Sequence, residues 1–553
     1  MAIDRSLSRR QVLRYGVAGG ALLATGRATS PAAGRVAASG QDWQEATVAQ
    51  LHASMKAGEL SATDLTKWYL ARIDELNPVL GAVIETNPDA VKIARWLDMQ
   101  RRGGRGRGPL HGIPVIVKDN VATDDRMETT AGSLALVGSR VRRDAPIVAR
   151  LRDAGAVVLG KANLSEWANF RGFAPFNGWS ARGGFTRNPY VLDLDPCGSS
   201  SGSATVVAAN LATLAVGTET DGSILCPAGE QNVVGIKPTI GLVSQAGIIP
   251  IAASQDTAGP MARTVIDAAR LLNVLRTPFG DVAGRRLPRD YTEFAVRRPV
   301  RRLRLLVDTT YMGDLGTTPE VQAVFDEAID ALVEAGARID RVSLASPLDE
   351  FNGRIPFDDE FTVLLFEFKV QVASYLADLR RTELRTLADL IAFNLAACDE
   401  EMKYFGQEIF EMAEATSGDL TDPTYQAALA TSRGFSQGVI NGVLEQGYDA
   451  IVTPSYSFGT TTAATAGYAS MAVPVGFTAA ARPVGFWLTA GFLDEPKLLT
   501  AAATIEAFFE ARRVPELLGS PPAEPPDAGL CDTTLVASQA RSSAEASRRR
   551  REY

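Results

Sequence analysis

Short apolar runs bounded by turn residues alternate along this chain with longer stretches of helical period. Residues 115–117, 157–160, 450–453, 470–474 and 484–488 read as strands, as does the run Leu303-Arg304-Leu305-Leu306-Val307-Asp308. Apolar positions at helical spacing predict helices near 321–335, 361–377, 425–446 and 496–511. Ser61 with Asp64 gives a capping-box start for a helix running to about Leu76. Interleaved strands and helices favour an α/β layered fold.

The 553 residues, 46% apolar, can bury a large core, and length alone suggests several domains. No long linker interrupts the central region, so one large domain over 39–520 is expected. Its nearest approach to a break is 277–300, an excursion rich in Pro, Arg and Gly. No internal repeat is visible.

Ser8-Arg9-Arg10-Gln11-Val12-Leu13-Arg14 resembles a twin-arginine export signal, and Val36-Ala37-Ala38 offers small residues for cleavage. Residues 1–38 are expected to be a signal peptide, leading to a periplasmic or extracellular mature chain. The apolar stretch at 15–25 is too short for a stable membrane span. Residues 1–38 hold six arginines and one aspartate, so their removal takes the net charge from −8 to −13. That acidity argues against nucleic acid or an anionic membrane as partner. After Leu518 the Pro- and Ala-rich sequence, with Arg548-Arg549-Arg550-Arg551 near its end, predicts a disordered tail over 521–553. The four cysteines show no framework spacing, although export would permit a disulfide. No Cys/His cluster has metal-ligand spacing, so neither a metal nor a cofactor is expected.

Candidate chemistry centres on Gly198-Ser199-Ser200-Ser201-Gly202, then Gly217-Thr218-Glu219-Thr220-Asp221-Gly222-Ser223. Gly198-x-Ser200-x-Gly202 formally matches a nucleophile elbow, which needs a histidine later in the chain. The only two histidines, His52 and His111, precede it, so no such triad can form. A phosphate-cradling reading is weaker still, because no G-x-x-x-x-G-K-[ST] pattern is present. A Gly/Ser tract is by composition a linker, but the apolar run at 204–214 follows at once, which suits a loop feeding a buried helix.

A serine hydroxyl needs a base, and lysine serves if burial lowers its pKa towards roughly 7–8. The strand at 115–117 delivers Lys118 into a dry site, while the alternation of a strand points Asp119 the other way. By composition alone Lys118 could equally be a surface residue at a strand end.

These segments resemble the amidase signature family, whose members use a Ser–Ser–Lys triad with a cis peptide at the middle serine. The resemblance extends through Ile224-Leu225-Cys226-Pro227-Ala228, Gly235-Ile236-Lys237-Pro238-Thr239 and Ser254-Gln255-Asp256-Thr257-Ala258-Gly259-Pro260. It implies the family's fold, a large mixed β-sheet flanked by helices on both sides. It also implies Lys118 as base, Ser199 as bridging serine and Ser223 as nucleophile, 24 residues after Ser199. The oxyanion donors would be the backbone N–H groups of Thr220, Asp221, Gly222 and Ser223. Attack on an amide would pass through an acyl-enzyme and release ammonia from a primary amide.

Thr129-Thr130-Ala131-Gly132-Ser133, Asn163-Leu164-Ser165-Glu166-Trp167-Ala168-Asn169 and Tyr404-Phe405-Gly406-Gln407-Glu408 look most like the peptide amidase branch. By this analogy Gly132, Ser133, Asn169 and Ser200 would line the substrate pocket, and C-terminal peptide amides would be the substrates. An aryl-acylamidase or esterase of the same family is the alternative, as is a glutaminyl-tRNA amidotransferase of the A type, working within a complex. The chain departs from the branch at Gly229-Glu230-Gln231-Asn232, where Asn232 would take the left-handed backbone of the usual glycine. Glu230 there raises a preference for cationic substrates.

Overall fold

The computed structural model describes residues 42–278, 281–313, 317–350 and 352–531. Its core is one mixed sheet of eleven strands. In chain order these are β1 (Val83–Thr86), β2 (Pro114–Lys118), β3 (Val157–Ala162), β4 (Leu214–Glu219), β5 (Val234–Lys237) and β6 (Thr257–Ala262). They continue as β7 (Arg304–Asp308), β8 (Arg338–Val342), β9 (Ala450–Pro454), β10 (Ser470–Phe477) and β11 (Pro483–Thr489). Across the sheet the order is β1-β3-β2-β4-β6-β5-β10-β11-β9-β7-β8. Parallel pairs lie towards the two ends, β3 with β2 and β2 with β4, then β9 with β7 and β7 with β8. The middle from β4 to β9 is antiparallel.

Strands β2 to β6 are buried at every position, which is why their sequences run apolar or small instead of alternating. The edge strand β8, Arg338-Ile339-Asp340-Arg341-Val342, is the opposite case: it has no fully buried position, and its charges discourage pairing with another chain.

Every expected strand forms: five are longer by one to three residues, and the run from Leu303 forms one residue shorter, as Arg304–Asp308. The expected helices form as Pro319–Glu334, Pro356–Asp378, Pro423–Leu444 and Glu495–Phe509. Each carries proline in its first turn, where the missing N–H costs nothing. Ser61 caps helix Ala62–Leu80, accepting from the Asp64 N–H, and its own hydroxyl donates to the Asp64 carboxylate in place of the reciprocal backbone bond. The helix outruns the expected Leu76 because Pro78 falls in its last turn, Asn77 bonds both peptide groups of Val83, and Gly81 closes it left-handed.

One expectation is corrected, and one question the sequence left open is answered. The tail was expected to be disordered from 521, yet residues 521–531 lie along the body. Glu524 accepts from Tyr404, the Ala528 N–H donates to the Lys403 carbonyl, and Cys531 is disulfide-bonded to Cys398. External partners hold this segment, so its lack of helix or strand pattern misleads. The cysteines show no framework spacing, but all four are paired, Cys197 with Cys226 being the other bond. The expected signal peptide, residues 1–38, and residues 532–553 lie outside the described residues. Among the described residues no helix is long and apolar enough to cross a membrane, and no group of three or more His, Cys, Asp or Glu could hold a metal ion.

Candidate active site

Lys118 ends β2 and is wholly buried. Its Nζ lies 2.8 Å from Ser199 Oγ, 3.0 Å from Ser200 Oγ, 3.0 Å from Thr218 Oγ1 and 3.3 Å from the Thr218 carbonyl. Burial pushes the amine down to about 7, against the pull of the Glu219 and Asp256 charges. Asp119 faces away, as strand alternation requires: its carboxylate takes the Thr130 hydroxyl, the N–H groups of Thr130 and Gly132, and the Arg182 guanidinium.

The oxygens around Lys118 settle what its neutral form can do. Ser200 donates its own proton to the Thr218 carbonyl, so towards Lys118 it can only accept. A neutral amine has two N–H bonds, and Ser200 and Thr218 supply acceptors for both. The lone pair is then free to take the Ser199 hydroxyl proton.

The Gly198–Ser199 peptide bond is cis. The Ser199 carbonyl accepts from the Ser165 N–H, and the next residue, Ser200, opens helix Ser201–Ala208. Ser200 also donates its N–H to the Ser223 carbonyl at 3.1 Å, which ties the two serine segments together. Ser223 sits in the turn between β4 and the short helix Leu225–Glu230, with 8% of its surface exposed.

Several side chains shape that turn. Gly222 has φ +74°, a conformation that L side chains adopt at a cost. Glu219 accepts from the N–H groups of Ile224 at 2.7 Å and Leu225 at 3.0 Å. The Thr220 hydroxyl donates to Asp256 at 2.7 Å, and Asp221 accepts from Thr461 at 2.7 Å. Burial raises Asp256 to about 6, against the hydrogen bonds it accepts from Thr220 and from the Ile251 and Ala252 N–H groups. Among the described residues no group accepts from the backbone N–H of Thr220, Asp221, Gly222 or Ser223. Consecutive backbone donors without a partner are the kind of group that can receive a developing negative charge.

The other expected site residues fall in different places. Ser200 is a buried partner of Lys118, its hydroxyl also bonded to both peptide groups of Thr218. Ser133 caps the turn Leu134–Leu136 and donates to Glu401, and Gly132 packs against Ser180. Asn169 does lie by the site: its amide nitrogen donates to Asn177 and sits against Gly198, while its buried Oδ1 has no partner. Glu230 is paired with Arg482 at 3.1 Å and buried, which removes the basis for a cationic preference. Asn232 does take the left-handed conformation, with φ +54°.

Sequence reasoning missed Thr218, Glu219, Asp256 and the Cys197–Cys226 bond, although Thr218, Glu219 and Asp256 lie within the segments that carried the resemblance. A cavity of about 750 Å³ adjoins the cluster, with Asn120, Thr218, Glu219, Thr220, Ile249 and Tyr375 in its wall. It approaches the buried Lys118 and the serines across Thr218 and Thr220.

A buried lysine beside a serine pair, on this eleven-stranded sheet, defines an amide hydrolase, and the chain belongs to the Amidase family, whose sequence model matches residues 64–499. The native peptide amidase of Stenotrophomonas maltophilia shares 46% identity with a TM-score of 0.79, covering 86% of this chain and 99% of that one. A probable amidase of Arabidopsis thaliana is 40% identical over 485 residues, 86% of this chain and 92% of its own. An amidase family protein from Bacillus anthracis shares 37% identity with a TM-score of 0.78, covering 86% of this chain and 93% of that one.

Proposed function

We propose that the chain hydrolyses primary amides, C-terminal peptide amides first among them, through an acyl-enzyme on Ser223. The observation that carries this reading is the 2.8 Å contact between Ser199 and a wholly buried Lys118. Neutral Lys118 takes the Ser199 proton, Ser199 takes the Ser223 proton, and Ser223 attacks the amide carbon. The unused N–H groups of Thr220 to Ser223 receive the oxyanion, where one donor is worth about 3–4 kcal/mol. Ser199 then protonates the leaving nitrogen, ammonia departs, and water cleaves the acyl-enzyme by the reverse relay. The cavity beside Thr218 and Thr220 would hold the rest of the substrate, and Asn169 Oδ1 would accept from it.

Four paired cysteines suit an oxidising compartment, in keeping with export by the twin-arginine route. They also weigh against an amidotransferase component working in the cytosol. The test is ammonia release from an N-blocked dipeptide amide, with Ser223→Ala alongside. Release that the substitution abolishes supports the reading. Cleavage confined to aryl amides or esters would keep the triad and discard peptide amides.

A further inference from the structure

The loop that carries Ser199 is held by hydrogen bonds to its neighbours and not by a strand or helix of its own. Between the short strand Gly184–Phe185 and helix Ser201–Ala208 the chain has no regular element, only an isolated bridge at Val191. Lys118 and the turn of Ser223 both grow from adjacent strands of the sheet, so their mutual position is fixed by β2 and β4. Ser199 comes from outside that frame and must still reach both.

The Cys197–Cys226 bond joins the two segments at the closest practical points. Cys197 is two residues before Ser199 and Cys226 three after Ser223, with their Cα atoms 5.8 Å apart. Each end is anchored locally. The Cys197 N–H donates to Asp195 and its carbonyl accepts from Ser201, while the Cys226 N–H donates to the Gly222 carbonyl. Gln231 adds a second tether from the nucleophile side: its amide donates to the Pro196 and Ser201 carbonyls at 2.9 and 3.2 Å and accepts from Thr205.

We propose that the Cys197–Cys226 disulfide is a positioning element of the catalytic site, holding Ser199 in register with Ser223, so that turnover depends on the oxidised state. This rests on the reading of Ser223 and Ser199 given above. Losing the bond frees the loop to shift, and a misplacement of about 1 Å in a reacting group can cost on the order of 100-fold in rate. Cys226 is partly buried and Cys197 buried, so thiol titration is needed to show that a reductant has reached the bond. A water-soluble phosphine reduces it cleanly: phosphorus supplies two electrons, the S–S bond breaks, each sulfur takes a proton, and phosphorus takes oxygen from water.

The experiment uses the full chain carrying Cys398→Ser and Cys531→Ser, so that one disulfide remains. Amide hydrolysis and labelling of Ser223 by a fluorophosphonate probe are measured before reduction, after reduction and after reoxidation, with thiol titration and melting temperature alongside. The expected result is a kcat and a labelling rate lowered about tenfold or more, KM held within about twofold, and recovery on reoxidation. Cys197→Ala with Cys226→Ala should reproduce the reduced state. Unchanged kcat and labelling with both thiols titrated would overturn the inference alone. So would unfolding of the reduced protein at the assay temperature, which would make the bond a folding staple. A native chain with both disulfides intact that neither hydrolyses amides nor takes the probe would overturn the site reading and this inference together.

Discussion

Thr218 Oγ1 stands 3.0 Å from Lys118 Nζ and accepts the Asn120 amide at 2.9 Å, so one hydroxyl links the buried lysine to the cavity wall. Thr218→Val keeps the shape and removes the oxygen. The ammonium form of Lys118 loses an acceptor, so its pKa should fall further and the acid limb of the rate profile should move to lower pH. A buried Asn120 left short of a partner should cost about 1–3 kcal/mol in a denaturant melt. An unmoved acid limb would show that Thr218 does not tune the lysine.

The pH dependence follows from Lys118 acting in its neutral form. With its pKa pushed down to about 7, kcat/KM should rise about tenfold per pH unit below that value and level off above it. Steady-state rates on one amide from pH 5.5 to 9 would show this, and a flat profile would remove Lys118 as the base.

Stability should carry the same signature. Lys118 falls from an ordinary 10.5 to about 7 on folding, so between those values the unfolded chain holds a proton that the folded chain lacks. Stability therefore rises with pH across that window, and the cost of burying the ammonium is greatest below about 7. Relative to Lys118→Met, the wild type should gain up to about 1.4 kcal/mol per pH unit. Urea melts of both proteins at pH 7, 8 and 9 would read the slope, and parallel lines would contradict it.

Two glycines should separate fold from chemistry. A Cβ on Gly259 would collide with the Ile236 carbonyl, where β6 passes β5, so Gly259→Ala should destabilise by about 3 kcal/mol or more and lose soluble yield. A Cβ on Gly217 would lie 2.9 Å from Ser200 Oγ, a partner of Lys118. Gly217→Ala should still fold and lose about tenfold in kcat, a displacement effect read by steady-state kinetics. Equal behaviour of the two would refute the distinction.

The strands legible in the sequence were those with bulky apolar runs, such as Val115-Ile116-Val117 and Val484-Gly485-Phe486-Trp487-Leu488. Strands β4 and β6 escaped notice because they need glycine where a neighbour comes close, at Gly217 and Gly259, and such sequences carry neither alternation nor bulk. Lys118, Ser199 and Ser223 could be named from the resemblance to the amidase signature family, but their distances could not. The roles of Thr218 and Glu219 depend on which residues the sheet sets beside them, so no local pattern announces them. Ser133 shows the reverse error, since a residue inside a recognisable motif turned out to bond Glu401, 268 positions away.

The Cys398–Cys531 bond has a consequence for the order in which the molecule can be completed. The sequence between the two cysteines, a separation of 133 residues, includes the helix Pro423–Leu444 and strands β9, β10 and β11. A ring of that size removes about 4–5 kcal/mol of chain entropy from the unfolded state, but only once it is shut. During synthesis, the segment bearing Glu401, which braces Ser133 and Arg171, emerges long before the residue that locks it. That part of the molecule is therefore sealed from the far end of the chain, after the last three strands of the sheet have been made.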